Sequence, residues 1–123
     1  MTAPIGETSL QTLLSTLTTV LRPETYVFLL FRESEGITLI TTLETAKARG
    51  LEYAFPSRMI TLNVHSSLEA VGFMAVIATR LAAKGMGVNP VSGYFHDHLF
   101  VPEGREAEAV EELSKLALES GRQ

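Results

Sequence analysis

The stretch Met59–Asn89 restricts the fold of this chain more than any other. Its first part, Met59–Val64, alternates apolar and polar residues, which is the pattern of a β-strand with one buried face. Polar residues at positions 65–67 interrupt this pattern, and apolar residues at helical spacing follow over Leu68–Lys84. A strand, a polar turn and a long helix therefore form the predicted centre of the fold. Free backbone N–H groups at such a helix start can bind an anion.

Composition and charge exclude several classes of protein. The chain has 123 residues, of which 46% are hydrophobic, and this predicts a single domain over 1–123 with its own core. The net charge is −4 and there is no basic run, which argues against a nucleic acid or an anionic membrane as the main partner. The absence of cysteine excludes disulfides and thiolate chemistry.

The sequence also lacks the marks of export and of membrane insertion. The first basic residue is Arg22, so no positively charged region precedes an apolar segment as it does in a signal peptide. The apolar runs Tyr26–Phe31 and Phe73–Ala78 are too short to span a bilayer. These features predict a cytoplasmic protein with no membrane partner.

A helix, a hairpin and a second short helix are predicted before the central stretch. A one-sided apolar stripe predicts a helix over Leu10–Leu21, ended by Pro23. Tyr26–Phe31 is continuously apolar, as expected of a strand buried on both faces, and Ile37–Ile40 is predicted to pair with it. Leu43–Arg49 is predicted to form the short helix.

A second hairpin and a final helix are predicted after the central stretch. The strands are Val88–Phe95 and Leu99–Val101, with the turn at His96-Asp97-His98. Pro90 lacks an N–H group, which predicts an edge position or a bulge in its strand. The apolar stripe of the final helix, which starts after Pro102, consists of Ala109, Val110, Leu113, Leu116 and Ala117.

Residues 8–50 and 58–120 follow a similar order of elements, which predicts a pseudo-repeat whose halves share one sheet with helices on one face. The central helix is apolar on more than one side, so we expect it to be covered by another element or by a second subunit. Its predicted core stripe consists of Leu68, Val71, Gly72, Ala75, Ala78, Leu81 and Ala82.

Three blocks of the sequence resemble the small stand-alone ACT-domain family. They are Val64–Phe73, Phe31–Leu39 and Gly93–Pro102, and the helix ending Leu81-Ala82…Gly85…Val88-Asn89 adds to the likeness. The resemblance implies an α+β chain with a ferredoxin-like ACT fold: a βαββαβ-type, two-layer α/β sandwich with a mostly antiparallel sheet and an N-terminal ACT-like α-β-β-α half. It also implies a regulatory role in binding small molecules, often amino acids, and pairing into dimers.

The sequence departs from this family pattern in two places. The usual turn before the helix carries an acidic residue and Pro-Gly, whereas this chain has His65, Ser66 and Ser67. No strand follows the last helix, so the fourth strand is expected from Tyr26–Phe31 or from a partner. ACT domains usually regulate an attached enzyme domain, and none is predicted within these 123 residues.

The turn after the central strand carries two interpretations. Ser66 and Glu69 are spaced as a capping box, which by itself stabilises a helix by about 1 kcal/mol. The functional interpretation adds a ligand carboxylate bound by the N–H groups of residues 67–70. Gly72 either permits close helix packing or leaves room for a ligand or a dimer contact.

All three histidines are predicted to lie at one edge of the sheet. If the strands that precede His65 and His96 run parallel, their ends meet at the edge where open α/β sheets bind ligands. His65, His96 and His98 could serve as metal ligands. The alternatives are an organic ligand, or turn residues that Asp97 holds in place. Arg32 is either a solvated turn charge or a partner for a ligand carboxylate or for Asp97.

Catalysis has little support, because the sequence has no nucleophile elbow, Walker loop or dinucleotide fingerprint. We therefore expect a non-catalytic regulatory module that binds a small molecule, with no metal and no cofactor, as a homodimer. The alternatives are a protein-interaction module without a small ligand and a His-based metal protein. The predicted ligand-binding residues are His65, Ser66, Ser67, Leu68, Glu69, Gly72, Phe73, Asn89, His96, Asp97, His98 and Arg32.

Overall fold

A computed structural model of the protein describes residues 9–22, 27–64 and 71–121. The predicted site residues His65, Ser66, Ser67, Leu68 and Glu69 therefore lie outside the described part of the chain. The elements are α1 Leu10–Ser15, β1 Thr19–Arg22, β2 Val27–Glu33, β3 Gly36–Thr41, α2 Leu43–Ala48, β4 Ser57–Leu62, α3 Phe73–Ala82, β5 Asn89–Ser92, β6 Asp97–Pro102 and α4 Glu106–Ser120.

Four strands form one antiparallel sheet in the order β1-β4-β6-β5, and β2 and β3 form a separate two-stranded sheet. Helices α1, α3 and α4 pack together on one face of the larger sheet. The path β4-α3-β5-β6-α4, completed by β1, is the predicted ferredoxin-like, two-layer α+β arrangement. That fold prediction is confirmed. Because β6 lies between them and is antiparallel to both, β4 and β5 run in the same direction.

The core lies between the larger sheet and its three helices. Alternate residues of β4 and β6 point into it, and Ile60, opposite Leu99 in the register, is fully buried. On the helix side, Ile77 of α3 and Leu113 of α4 are equally inaccessible to solvent. The remaining fully buried large side chains are Leu13, Leu62, Leu81 and Val101.

The first helix is shorter than predicted. The Ser9 side chain caps α1 by accepting a hydrogen bond from the N–H of Thr12, but α1 ends at Ser15 and not at Leu21. The following segment is rich in β-branched residues, which lose side-chain freedom in a helix and suit a strand. Residues 19–22 pair with β4 instead, so the apolar spacing that suggests a helix here is misleading.

The fourth strand of the larger sheet is β1. It lies beside β4 with Thr19 opposite Leu62, and the N–H of Asn63 extends the pairing by donating to the Thr18 carbonyl at 2.6 Å. The predictions that Tyr26–Phe31 or a partner supplies this strand were therefore wrong. A segment before the predicted hairpin closes the sheet within one chain.

The first hairpin, β2–β3, was predicted correctly, but its burial was not. Arg32 and Glu33 belong to β2, so the turn is Ser34-Glu35. The prediction of a strand buried on both faces was wrong, because Leu30 and Phe31 are 61% and 58% exposed. The short helix α2 follows, capped by the Thr42 hydroxyl, which accepts from the N–H of Thr45 at 3.0 Å.

The central helix starts later than predicted. Gly72 has φ 87°, a left-handed conformation that interrupts a helix, and α3 begins at Phe73 rather than at Leu68. The later start also changes the buried face, which consists of Phe73, Ile77 and Leu81. The predicted core stripe was wrong at Val71, which is 83% exposed, and at Ala75 and Ala82, which are exposed too. It was right at Leu81, and Leu68 lies outside the described residues.

The second hairpin turns earlier than predicted. The N–H of Gly93 donates to the His96 carbonyl at 2.9 Å, and β6 already begins at Asp97. Asp97 and His98 are therefore strand residues and not turn residues. The predicted edge position of Pro90 is confirmed, because β5 is the last strand of the sheet.

The last helix was predicted well. Its stripe packs on the core through Ala109, Leu113 and Leu116, and the predicted pair Glu111–Lys115 forms at 3.5 Å on the exposed side. Acidic residues in its first turn, Glu106 and Glu108, favour the positive end of the helix dipole.

Helix α4 offers a matched test of this packing. We expect Leu113→Ala to lower the free energy of unfolding by about 3 kcal/mol, because it leaves a cavity in the core. Leu118→Ala, the same change at a 63% exposed position, should cost less than about 0.5 kcal/mol. Urea denaturation measures both, and equal losses would contradict the described orientation of α4.

Candidate functional site

The ends of β4 and β5 meet at one edge of the larger sheet, as the histidine prediction requires. Both strands run toward this edge, and β6 starts from it with Asp97 and His98. Helix α3 leads from the end of β4 back to the start of β5, so its first turn lies at the same edge. His65 lies outside the described residues, so one wall of the predicted site can be described directly.

His98 is held by a side chain of the neighbouring strand. Thr61 lies opposite His98 in the register, and its Oγ1 is 3.0 Å from His98 Nδ1. Thr61 is 2% exposed, so water does not compete with this hydrogen bond. The contact fixes the orientation of the imidazole ring. The ring of His96 lies 6.4 Å away, edge-on to that of His98.

Asp97 links the two strands of the second hairpin. Its carboxylate accepts a hydrogen bond of 2.6 Å from the hydroxyl of Ser92, which lies opposite it in β5. Asp97 is 8% exposed, which makes this bond a firm link across the strand pair. Gly93 belongs to the same unit, because a Cβ at this position would lie 3.1 Å from the His96 carbonyl oxygen.

The first turn of α3 has no side-chain cap. Gly72 precedes the helix and has no side chain, and the described residues supply no other capping group. The first bond of the helix runs from the N–H of Val76 to the Gly72 carbonyl, so the N–H groups of Phe73, Met74 and Ala75 have no partner within α3. The predicted anion site at residues 67–70 lies outside the described residues.

The structure brings together only part of the predicted site. His96, Asp97 and His98 lie at the predicted edge. Asn89 begins β5 and therefore lies at the opposite edge, opposite Phe100. Arg32 belongs to the β2–β3 hairpin and not to the larger sheet. The side chain of Phe73 is 3% exposed and packs in the core, so only its backbone can contribute.

The structure also has a cleft that was not predicted, on the sheet face that carries the side chain of His98. Its volume is about 1290 Å³, and it separates the face opposite the helices from residues 37–56. Met59, Val91 and Phe100 line it from the sheet. His98 precedes Phe100 by two residues and therefore points to the same face. The sequence signal that could have predicted the cleft was the continuous apolar run of β6, which is typical of a strand covered on both faces.

The rim of the cleft is mainly acidic. Glu44, Glu52 and Glu103 line it together with one base, Arg58. Arg58 is paired with Glu106, with 3.1 Å between Nη1 and Oε2. Backbone N–H groups of Glu106 and Gly104 and the charge of Arg58 lower the pKa of Glu106.

An ionic network between side chains of α3 and α4 holds these two helices together on their side of the sheet. Arg80 Nε lies 2.9 Å from a carboxylate oxygen of Glu112, and its Nη1 lies 2.6 Å from Glu119. The hydrogen bond from Arg80 lowers the pKa of Glu112, and the charges of Lys84 and Lys115 act in the same direction. The network thereby orients the helix whose first turn faces the edge.

Neither a metal cluster nor a membrane span is found in residues 9–22, 27–64 and 71–121. Within these ranges no three His, Cys, Asp or Glu side chains are placed to hold a metal ion together. No helix among them is long and apolar enough to cross a membrane.

Comparison with known proteins decides the family. Two family models, both described as ACT domain, match the chain: one over residues 54–115, the other over 5–31 and 29–58. The chain belongs to the ACT-domain family. ACT domains are generally regulatory modules that bind ligands.

A solved structure supports the same assignment. The chain is 36% identical to a Vibrio cholerae protein of unknown function, described as a possible transport protein, with a TM-score of 0.78. The match covers 88% of this chain and 95% of that one. No curated protein matches significantly.

The Thr61–His98 contact can be tested by a variant that keeps the shape of the Thr61 side chain. Thr61→Val removes the hydroxyl, and we expect the free energy of unfolding in urea to fall by about 1 kcal/mol because His98 Nδ1 loses this partner. The ¹⁵N shifts of the His98 ring should move in Thr61→Val. They should stay near the wild-type values in Thr61→Ser, which keeps the hydroxyl. Identical ring shifts in all three proteins would contradict the contact.

The lowered pKa of Glu112 predicts a pH effect. A carboxyl whose pKa is lower in the folded state stabilises the protein above the unfolded value of about 4.5 and loses that effect as the pH falls through the folded value. Glu112→Gln should therefore reduce the melting temperature near pH 6 and flatten its decline toward about pH 3. Glu111→Gln, at a more exposed position of α4, is the control and should keep the wild-type decline.

Proposed function

We propose that this ACT domain is a non-catalytic regulatory module that binds an amino acid or a similar zwitterion at the edge formed by the ends of β4 and β5. The observation that carries this proposal is the first turn of α3, which no side chain of the described residues caps and which lies at the same edge as His96 and His98. A carboxylate is the natural partner for such a turn, because the N–H groups point outward and the helix dipole favours negative charge.

Each side of the site has a distinct task in this proposal. The ligand carboxylate accepts hydrogen bonds from the N–H groups of Phe73 and Met74, and the missing side chain of Gly72 leaves room for it. The ring of His96 contacts the rest of the ligand, and the ring of His98, which Thr61 holds on the opposite face of the sheet, lies edge-on to it. His65, Ser66 and Ser67, which precede α3 in the sequence, are assigned to the facing wall because of their position between β4 and α3.

Regulation follows from the position of the site between elements. A ligand that contacts both α3 and the β5–β6 hairpin binds the folded arrangement better than any arrangement in which they separate. It therefore stabilises that arrangement, and the stabilisation rises with the logarithm of the ligand concentration once this exceeds the Kd. The regulated partner would respond to this change. It is either a second copy of the module or another protein.

Thermal-shift measurement with the twenty common amino acids tests the ligand class. At millimolar concentration, at least one should raise the melting temperature. The corresponding amino-acid amide should raise it less, because the amide lacks the carboxylate charge that α3 attracts. If no amino acid stabilises the protein, the amino-acid assignment is wrong and an interaction module without a small ligand is favoured.

Two serine variants test whether Ser67 belongs to the site. Ser67→Ala should weaken binding of the stabilising amino acid about fivefold or more, because a polar contact to a ligand contributes about 1 kcal/mol or more. Ser114→Ala is the control: its hydroxyl donates to the Val110 carbonyl on the exposed side of α4. Isothermal titration measures both variants. Unchanged affinity in Ser67→Ala would remove this residue from the site.

A further inference from the structure

Most of the exposed apolar surface lies in one segment of the chain. Of the twelve exposed large apolar residues among the described ones, eight lie between residues 30 and 55. They are Leu30, Phe31, Ile37, Leu39, Leu43, Leu51, Tyr53 and Phe55. If an aromatic residue has roughly 200 Å² of surface and an aliphatic one slightly less, their exposed area is on the order of 700 Å².

Summed over both faces of the hairpin and the residues that follow it, this apolar area is unusually large for a surface that stays in water. The largest apolar patch of a typical monomer covers about 300–600 Å², whereas a stable protein interface buries about 800 Å² on each partner. The segment thus exposes about as much apolar area as one side of a dimer interface needs.

The β2–β3 hairpin also lacks strand partners. Among the described residues, β2 pairs only with β3 and β3 pairs only with β2. A two-stranded sheet is marginally stable in water without a further strand or a packed face. One face carries Leu30, Ile37 and Leu39, and Phe31 lies on the other, so both faces present apolar side chains.

No segment within residues 9–22, 27–64 and 71–121 fills the cleft beside the hairpin. Ile37 and Leu39 line it on one side, and Met59, Val91 and Phe100 line it on the sheet side. Two apolar sheet faces normally pack about 10 Å apart with interlocking side chains. The volume of about 1290 Å³ exceeds the roughly 300–1,000 Å³ of pockets for drug-sized ligands. A polypeptide segment fits this space better than a free amino acid does.

We propose that the β2–β3 hairpin of a second copy of this chain occupies the cleft, and that the two copies exchange hairpins. Each copy presents a hairpin whose exposed apolar side chains line a cleft that no described residue fills. In a two-fold pair each cleft is filled by the partner's hairpin, which is the self-complementary geometry of most homodimers. This proposal is independent of the ligand at the sheet edge.

Light scattering with size-exclusion chromatography tests the dimer. The wild type should have twice the chain mass of 13.4 kDa. Ile37→Lys changes a 62% exposed residue of the hairpin and should weaken the dimer at least tenfold, while circular dichroism shows the folded state intact. Leu118→Lys changes a 63% exposed residue of α4 and should leave the dimer unchanged. A monomeric wild type, or a dimer that Ile37→Lys does not weaken, overturns the proposal.

Cross-linking tests the contact itself, including the case in which Ile37→Lys does not fold. The chain has no cysteine, so Ile37→Cys and Val91→Cys each introduce a single thiol. Mixing the two variants and oxidising them with diamide should give a mixed disulfide dimer in high yield. Ile37→Cys with Leu118→Cys should not. Equal yields in the two mixtures overturn the proposal.

Two other occupants give different results. If residues 1–8 of the same chain fill the cleft, the protein is a monomer and deleting them lowers its melting temperature. If a different protein fills it, the purified chain is again a monomer, and deleting residues 1–8 leaves the melting temperature unchanged. Either result overturns the exchange of hairpins.

Discussion

The pairing of β1 with β4 is the constraint on which the rest of the structure depends. It closes the four-stranded sheet within one chain and makes β4 an internal strand, so that Ile60 and Thr61 are buried on opposite faces. It also uses residues 19–22 for this purpose, so that β2 and β3 continue outside the sheet as a separate hairpin. The ferredoxin-like layer, the cleft and the exposed hairpin are consequences of this single pairing.

Where local sequence and tertiary contacts agree, the elements could be predicted. The stripe of α4, the hairpin signal around Gly36 and the edge position of Pro90 each follow from short-range chemistry. The ends of α1 and α3 could not be predicted in this way. Residues 16–21 have helical apolar spacing, but pairing with a strand forty residues later determines their conformation. The start of α3 depends on the positive φ of Gly72, which the apolar spacing around it does not reveal.

The candidate site, like the fold, could be predicted only in part. Topology alone predicts that the ends of β4 and β5 share an edge, and the structure places His96, Asp97 and His98 there. The partners of these residues depend on cross-strand register, which could not be derived: Thr61 holds His98, and Ser92 holds Asp97. The cleft depends on where the hairpin and residues 51–56 lie relative to the sheet. Only the apolar run in β6 pointed to it.

The central claim is that a zwitterion binds where the first turn of α3 meets the β5–β6 hairpin. Amide chemical shifts, followed by NMR during titration with a mixture of amino acids, test it most directly. The account predicts saturable changes that cluster in two separate segments, residues 72–76 and 93–98. Saturable changes confined to the cleft-lining residues 37–56, or no changes at any amide, would contradict it.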